Sequence, residues 1–134
     1  MKINQCGSAL TVSDELANII QYEIDRSKVD ASNGVVVSFR DPEYSAKTGG
    51  FHPVEIAVHS NGCLVYITDF SYAGTPPFEE LVKELDFDFE LKVIQQLNRE
   101  YPLNQRSGLF DLWQENFVSY YGMGVYQVTV GALL

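Results

Sequence analysis

The densest chemistry in the sequence is one short run, in which Glu84, Asp86, Asp88 and Glu90 alternate with Leu85, Phe87, Phe89 and Leu91. A β-strand sends successive side chains to opposite faces. The pattern therefore predicts a strand over 84–91 with one acidic face and one apolar face. Carboxylates two residues apart on a strand stand roughly 7 Å from each other. At that spacing a pair does not chelate one ion without help from a neighbouring strand or loop, and the sequence has no Asp- and Gly-rich calcium loop. The functional readings are a cation-binding ladder and a docking surface for a basic partner. The plain reading is a solvated face that discourages strand-to-strand aggregation. Glu79 and Glu80 precede the run, so six of the 18 acidic residues fall between 79 and 90, offset there by Lys83 alone. That concentration makes Glu84, Asp86, Asp88 and Glu90 the first candidate binding surface.

Other reactive side chains are sparse. His52 and His59 are the two histidines. His59 shares a strand face with Glu55, but four residues of strand put them roughly 13 Å apart, and His52 precedes Pro53 in a loop. Cys6 and Cys63 lack metal-ligand spacing, and in a reducing compartment two free thiols are expected, with a disulfide as the minority reading. No G-x-S-x-G elbow or P-loop ending is present. Asp69 falls on the aliphatic face of its strand and is read as capping the open end of a hairpin. No catalytic residue, metal or cofactor is therefore expected. The alternative is a small-molecule or metal-dependent enzyme built on the polar hairpin face around Glu55, His59, Tyr66 and Thr68, which requires a concave pocket there.

These groups need elements to position them. Ser13 as N-cap, with Leu16, Ile19, Ile20 and Ile24 at helical spacing, predicts a helix over 14–26. Val35–Arg40 reads as a buried strand. Asn61-Gly62 between 53–60 and 63–70 predicts a hairpin with a two-residue turn, pairing Val58 with Val65, Ile56 with Ile67 and Val54 with Asp69. Residues 92–97 read as either strand or short helix, and 98–108 as a connection. Leu109, Leu112, Trp113, Asn116, Phe117 and Tyr120 predict a second helix, with Ser107 as N-cap and Gly122 just past its end. Its aromatic residues suit a core, while Trp113, Phe117, Tyr120 and Tyr121 also form a candidate oligomer interface. A final strand follows near Tyr126–Val130. Short links and the absence of a βαβ rhythm predict one α+β domain over 1–134: a twisted antiparallel sheet of five to seven strands with two helices on one face.

Composition narrows the partners. The chain has 134 residues, 46% of them hydrophobic, and a formal charge of −9. Phosphate backbones and anionic membranes need clustered cations, so neither nucleic acid nor membrane is an expected partner. No signal peptide or membrane span is visible, and a cytoplasmic location is expected.

The segments LDFDFEL (85–91) and LFDLWQENFVSYYGMGVYQVTV (109–130) resemble a small proteobacterial family of unknown function. The fold of that family is similar to that of the acidic mitochondrial glycoproteins, which include the complement-binding matrix protein. The resemblance implies a twisted antiparallel sheet with helices on one side and a protein-binding role without a catalytic motif. The expected function is thus an acidic protein-interaction module with a basic protein partner. The third reading is a structural subunit of a homo-oligomer.

Overall fold

The computed structural model describes residues 1–133. Helix α1 (Asp14–Ser27) leads into strands β1 (Val35–Arg40), β2 (Val54–Val58), β3 (Leu64–Ala73), β4 (Glu80–Asp88), β5 (Val93–Gln96) and β6 (Arg99–Pro102). A 3₁₀ turn (Leu103–Gln105), helix α2 (Ser107–Gly122) and strand β7 (Gln127–Ala132) complete the chain. The strands form one antiparallel seven-stranded sheet in the order β6-β5-β4-β3-β2-β1-β7. Consecutive strands pair along a meander, and β7 returns to flank β1. The expected α+β architecture, with both helices on one face of a twisted sheet, is what the chain adopts.

The core lies between that face and the helices. Val37, Phe39, Ile56, Ile67, Phe87 and Ile94 are fully buried beneath Leu16, Ile20, Phe110 and Phe117. Phe39 meets Phe117 edge-on at 4.9 Å between ring centres, and Phe87 meets Phe110 at 5.1 Å. Ser13 caps α1 by accepting from the Leu16 N–H at 3.1 Å, as its residue type leads one to expect.

Residues 1–12 form a strap across one end of this core. Ile3, Leu10 and Val12 are buried. Gln5 braces the strap by donating to the Val12 carbonyl at 3.0 Å and accepting from the Val12 N–H at 3.2 Å. Gln114 of α2 ties its far end, accepting from Ser13 N–H and donating to Thr11 O, both at 3.0 Å. Asn4 bridges to Cys63, and the strap passes so close to the hairpin turn that a Cβ on Gly62 would lie 1.9 Å from the Lys2 carbonyl oxygen. Cys6 and Cys63 form a disulfide with 5.7 Å between Cα atoms. This corrects the expectation of free thiols. Their pairing follows from the strap's path, which residue spacing does not reveal.

Local departures have local causes. The β2–β3 loop holds three residues instead of two. His59 N donates to Cys63 O, Gly62 N to His59 O, and Gly62 takes φ +89°, the Gly-bulge hairpin. A second bulge then shifts the pairing back: Val58 pairs with Leu64, yet Ala57 pairs with Tyr66 and Ile56 with Ile67. The two irregularities cancel, so the distal register is the expected one. Arg99–Pro102 forms β6 against β5, where a connection was expected. Its sequence, REYP, ends in a proline, and β6 is an edge strand, where proline is tolerated. Helix α2 lacks a side-chain N-cap, and the left-handed residue after it is Gly124, not Gly122.

The two helices are joined through Glu23, which is 3% exposed. It accepts from Arg26 at 2.6 Å and from the Tyr121 hydroxyl. Burial first, then the hydrogen bond to Glu23, pushes the Tyr121 hydroxyl up to about 12. A phenol with an ordinary value near 10.0 in the unfolded chain holds its proton longer once folded. Its contribution to stability is complete below pH ~10 and is lost as pH rises through ~12. We expect the melting temperature to fall steeply over that interval, and less steeply in Tyr121→Phe. Parallel curves for the two proteins would contradict the assignment.

Candidate functional site

A cleft of about 400 Å³ opens on the helix side of the sheet, beside α2. Phe51, Trp113, Tyr120 and Tyr126 contribute aromatic walls, and His52, Asp69 and Glu84 supply its charged groups. His52 Nδ1 stands 2.8 Å from Asp69 Oδ1 and 2.9 Å from Glu84 Oε2. Trp113 Nε1–H donates to the other Asp69 oxygen at 3.0 Å.

Each side chain arrives by a different local device. His52 precedes buried Pro53 at the entry to β2, with its ring 5.4 Å from that of Tyr44. Asp69 lies on β3 opposite Val54 and Leu85, hence on the helix face. Glu84 is the extra residue of a bulge, since Asp69 pairs with Leu85 but Phe70 pairs with Lys83. A bulge re-aims a side chain, and here Glu84 joins Leu85 in lining the cleft instead of pointing away from it. The hydrogen bond to Asp69 holds His52 protonated above the ordinary imidazole value, against the opposing effect of burial. The Tyr126 hydroxyl is raised by burial and then by the Asp69 charge.

The predicted acid row does not form a single surface. Glu84 turns into the cleft. Asp86 is 8% exposed and accepts from Thr68 Oγ1 at 2.6 Å. Asp88 ends β4 and accepts from the Glu90 and Leu91 N–H groups at 3.0 and 2.8 Å. Glu90 lies beyond the strand and meets His59. Period-two alternation holds only while a strand stays regular, and here a bulge interrupts it and a turn ends it.

A different polar row runs across the sheet. Thr129, Ser38, Glu55, Thr68, Asp86, Gln95 and Glu100 are cross-strand neighbours in turn over β7, β1, β2, β3, β4, β5 and β6. They occupy the helix-free face, opposite the core residues that alternate with them. Tyr66 donates to Glu55 at 2.6 Å there, and burial followed by this bond raises its hydroxyl. The hairpin-face residues Glu55, Tyr66 and Thr68 thus bond to one another or to Asp86. His59 stands apart at the turn with Glu90, and the cleft lies on the opposite face.

On α2, Trp113 and Phe117 are 7% and 2% exposed and serve the core. Tyr120 packs on Phe51 at 4.8 Å, and Tyr121 reaches Glu23. Asp69 is no hairpin cap exposed to solvent. One sequence signal for the cleft was available: an acid in an otherwise aliphatic face. Nothing in the sequence pointed to its histidine or glutamate partner.

The fold and its polar surfaces define a class: an α+β protein with an open antiparallel sheet, one helix-covered face and one bare polar face. Residues 14–131 match the family of proteins of unknown function DUF2787, and the chain belongs to that family. A hypothetical protein from the VSP-II pathogenicity island of Vibrio cholerae is 34% identical, with a TM-score of 0.83 over 96% of this chain and 100% of that one. A second hypothetical protein, from Vibrio cholerae pathogenicity island VPI-2, is 33% identical, with a TM-score of 0.80 over the same shares. That second protein is described as sharing structural homology with the human P32 protein. Among curated proteins, none matches the chain. No helix among the described residues is long and apolar enough to cross a membrane.

Proposed function

We propose that the protein is an acidic protein-interaction module that binds a basic polypeptide partner on the helix-free face of its sheet. The observation that carries this reading is the polar row across all seven strands, which places the carboxylates of Glu55, Asp86 and Glu100 in cross-strand register. Asp86 is buried, whereas Glu55 is half-buried and Glu100 exposed, so these two carry the contacts, with exposed Glu90 beyond the end of β4. A net charge of −9 adds long-range attraction for a cationic chain. Seven side-by-side strands give an extended surface that suits a polypeptide better than a small molecule.

A lysine-rich peptide is the probe. It should bind the wild-type protein with an affinity that falls as salt is added. Glu55→Lys/Glu100→Lys should weaken binding by about tenfold or more, because like charges then face each other. The far-ultraviolet spectrum should stay unchanged. Equal binding by the double variant, or binding indifferent to salt, would overturn the reading.

A further inference from the structure

We propose that His52, Asp69 and Glu84 form a binding site for a divalent transition-metal ion such as Zn²⁺, on the cleft side of the sheet and separate from the polar face. The three candidate ligand atoms lie within 4.8 Å of one another. The imidazole nitrogen is already 2.8 and 2.9 Å from the two carboxylate oxygens. Ligand atoms that share one tetrahedral ion at bond lengths of about 2.0–2.2 Å stand about 3.3–3.6 Å apart, so the trio reaches that spacing by opening about half an ångström as the ion replaces the hydrogen-bonding proton. The donor set then selects the kind of ion. Magnesium and calcium favour oxygen-only shells, whereas an imidazole beside carboxylates suits zinc and its neighbours.

Charge makes the same point independently. Two carboxylates and one imidazole leave the group negative whether or not the imidazole carries a proton. Neither Lys nor Arg lines the cleft. A divalent cation would balance the two carboxylates beside a neutral imidazole. Around the group, the structure has the features of a supported site. Trp113 holds Asp69 Oδ2 and leaves Oδ1 toward His52. Hydrogen bonds of this kind orient metal-ligating carboxylates. Three protein ligands beside a cleft of about 400 Å³ leave coordination positions open to water or a further ligand. Asn116 and Gln96 line the same cleft and provide polar contacts for such a ligand.

The test uses Zn²⁺ itself, titrated calorimetrically into the full chain after chelator treatment and without reductant, so that Cys6 and Cys63 stay paired. One ion per chain is expected. His52→Ala and Glu84→Gln should each weaken binding at least tenfold. Trp113→Phe, which keeps all three ligands, should weaken it about tenfold to a hundredfold. His59→Gln, which removes the histidine near Glu90, should leave it unchanged. Glu84→Gln conserves shape at a half-exposed position, so it decides the matter even if another variant fails to fold. The absence of Zn²⁺ binding in wild type, or undiminished binding in Glu84→Gln, would overturn the proposal.

Discussion

Replacing Phe39 with alanine is expected to lower the unfolding free energy by about 3–5 kcal/mol, the usual cost of deleting a fully buried phenylalanine. Phe39 is 0% exposed. Its ring meets Phe117 of α2 at 4.9 Å, Tyr121 at 6.1 Å and Tyr126 at 5.9 Å, all edge-on. One side chain of β1 thus joins the central sheet to α2 and to the segment that leads into β7. Little can collapse into the vacancy, because the surrounding rings are held by one another and by Glu23. The loss is a large part of a typical domain stability of about 5–15 kcal/mol. Urea denaturation should show the midpoint falling with the slope nearly unchanged. Phe39→Leu, which restores most of the volume, should recover more than half of the loss. A Phe39→Ala protein within about 1 kcal/mol of wild type would contradict this account of the core.

The second large effect is expected at the disulfide. Cys6 and Cys63 are 57 residues apart in sequence, so their bond closes a long loop in the unfolded chain. Removing such a link costs typically about 2–4 kcal/mol. Cys63→Ser should show that loss in urea. Adding reductant to the wild-type protein should reproduce it, while leaving Cys63→Ser where it was. The comparison separates the crosslink from any effect of the serine hydroxyl. Coincident midpoints for the oxidised protein and the variant would show that the bond adds nothing to stability.

The fold was legible where hydrophobic periodicity was strong. Helix α1, strand β1 and the distal β2–β3 register stand where the sequence places them, and the family resemblance expected from residues 85–91 and 109–130 holds. What escaped depended on irregularity or on contacts distant in sequence. The bulge at Glu84 depends on how β3 and β4 pair, and no pattern within β4 encodes it. Asp86 is buried beside its cross-strand neighbour Thr68, which is 1% exposed and donates to it, a contact between β3 and β4 that neither strand's sequence displays. Strand β6 contains Arg99 and Glu100 and ends in proline, so it lacks the apolar signal of an interior strand. The disulfide needed the path of the strap. The cleft was the least legible of all: His52, Asp69 and Glu84 come from a loop, a regular strand and a bulge. The acids were visible as a surplus of charge, but alternation along one strand suggested the wrong geometry for them. The row that exists runs at right angles to the one expected.

The strap also bears on where the folding unit begins. The family match starts at residue 14, at the first residue of α1. Taken as a domain boundary, that position would discard Ile3, Leu10 and Val12 from the core, one half of the disulfide, and the Ser13 cap. The family match and the folded unit therefore have different limits in this chain. The thirteen residues ahead of the match are weakly patterned because they hold on through scattered anchors instead of a periodic face. Such a segment offers little local pattern, yet the core and the disulfide depend on it. Anyone grafting, fusing or trimming this fold should count it as part of the domain.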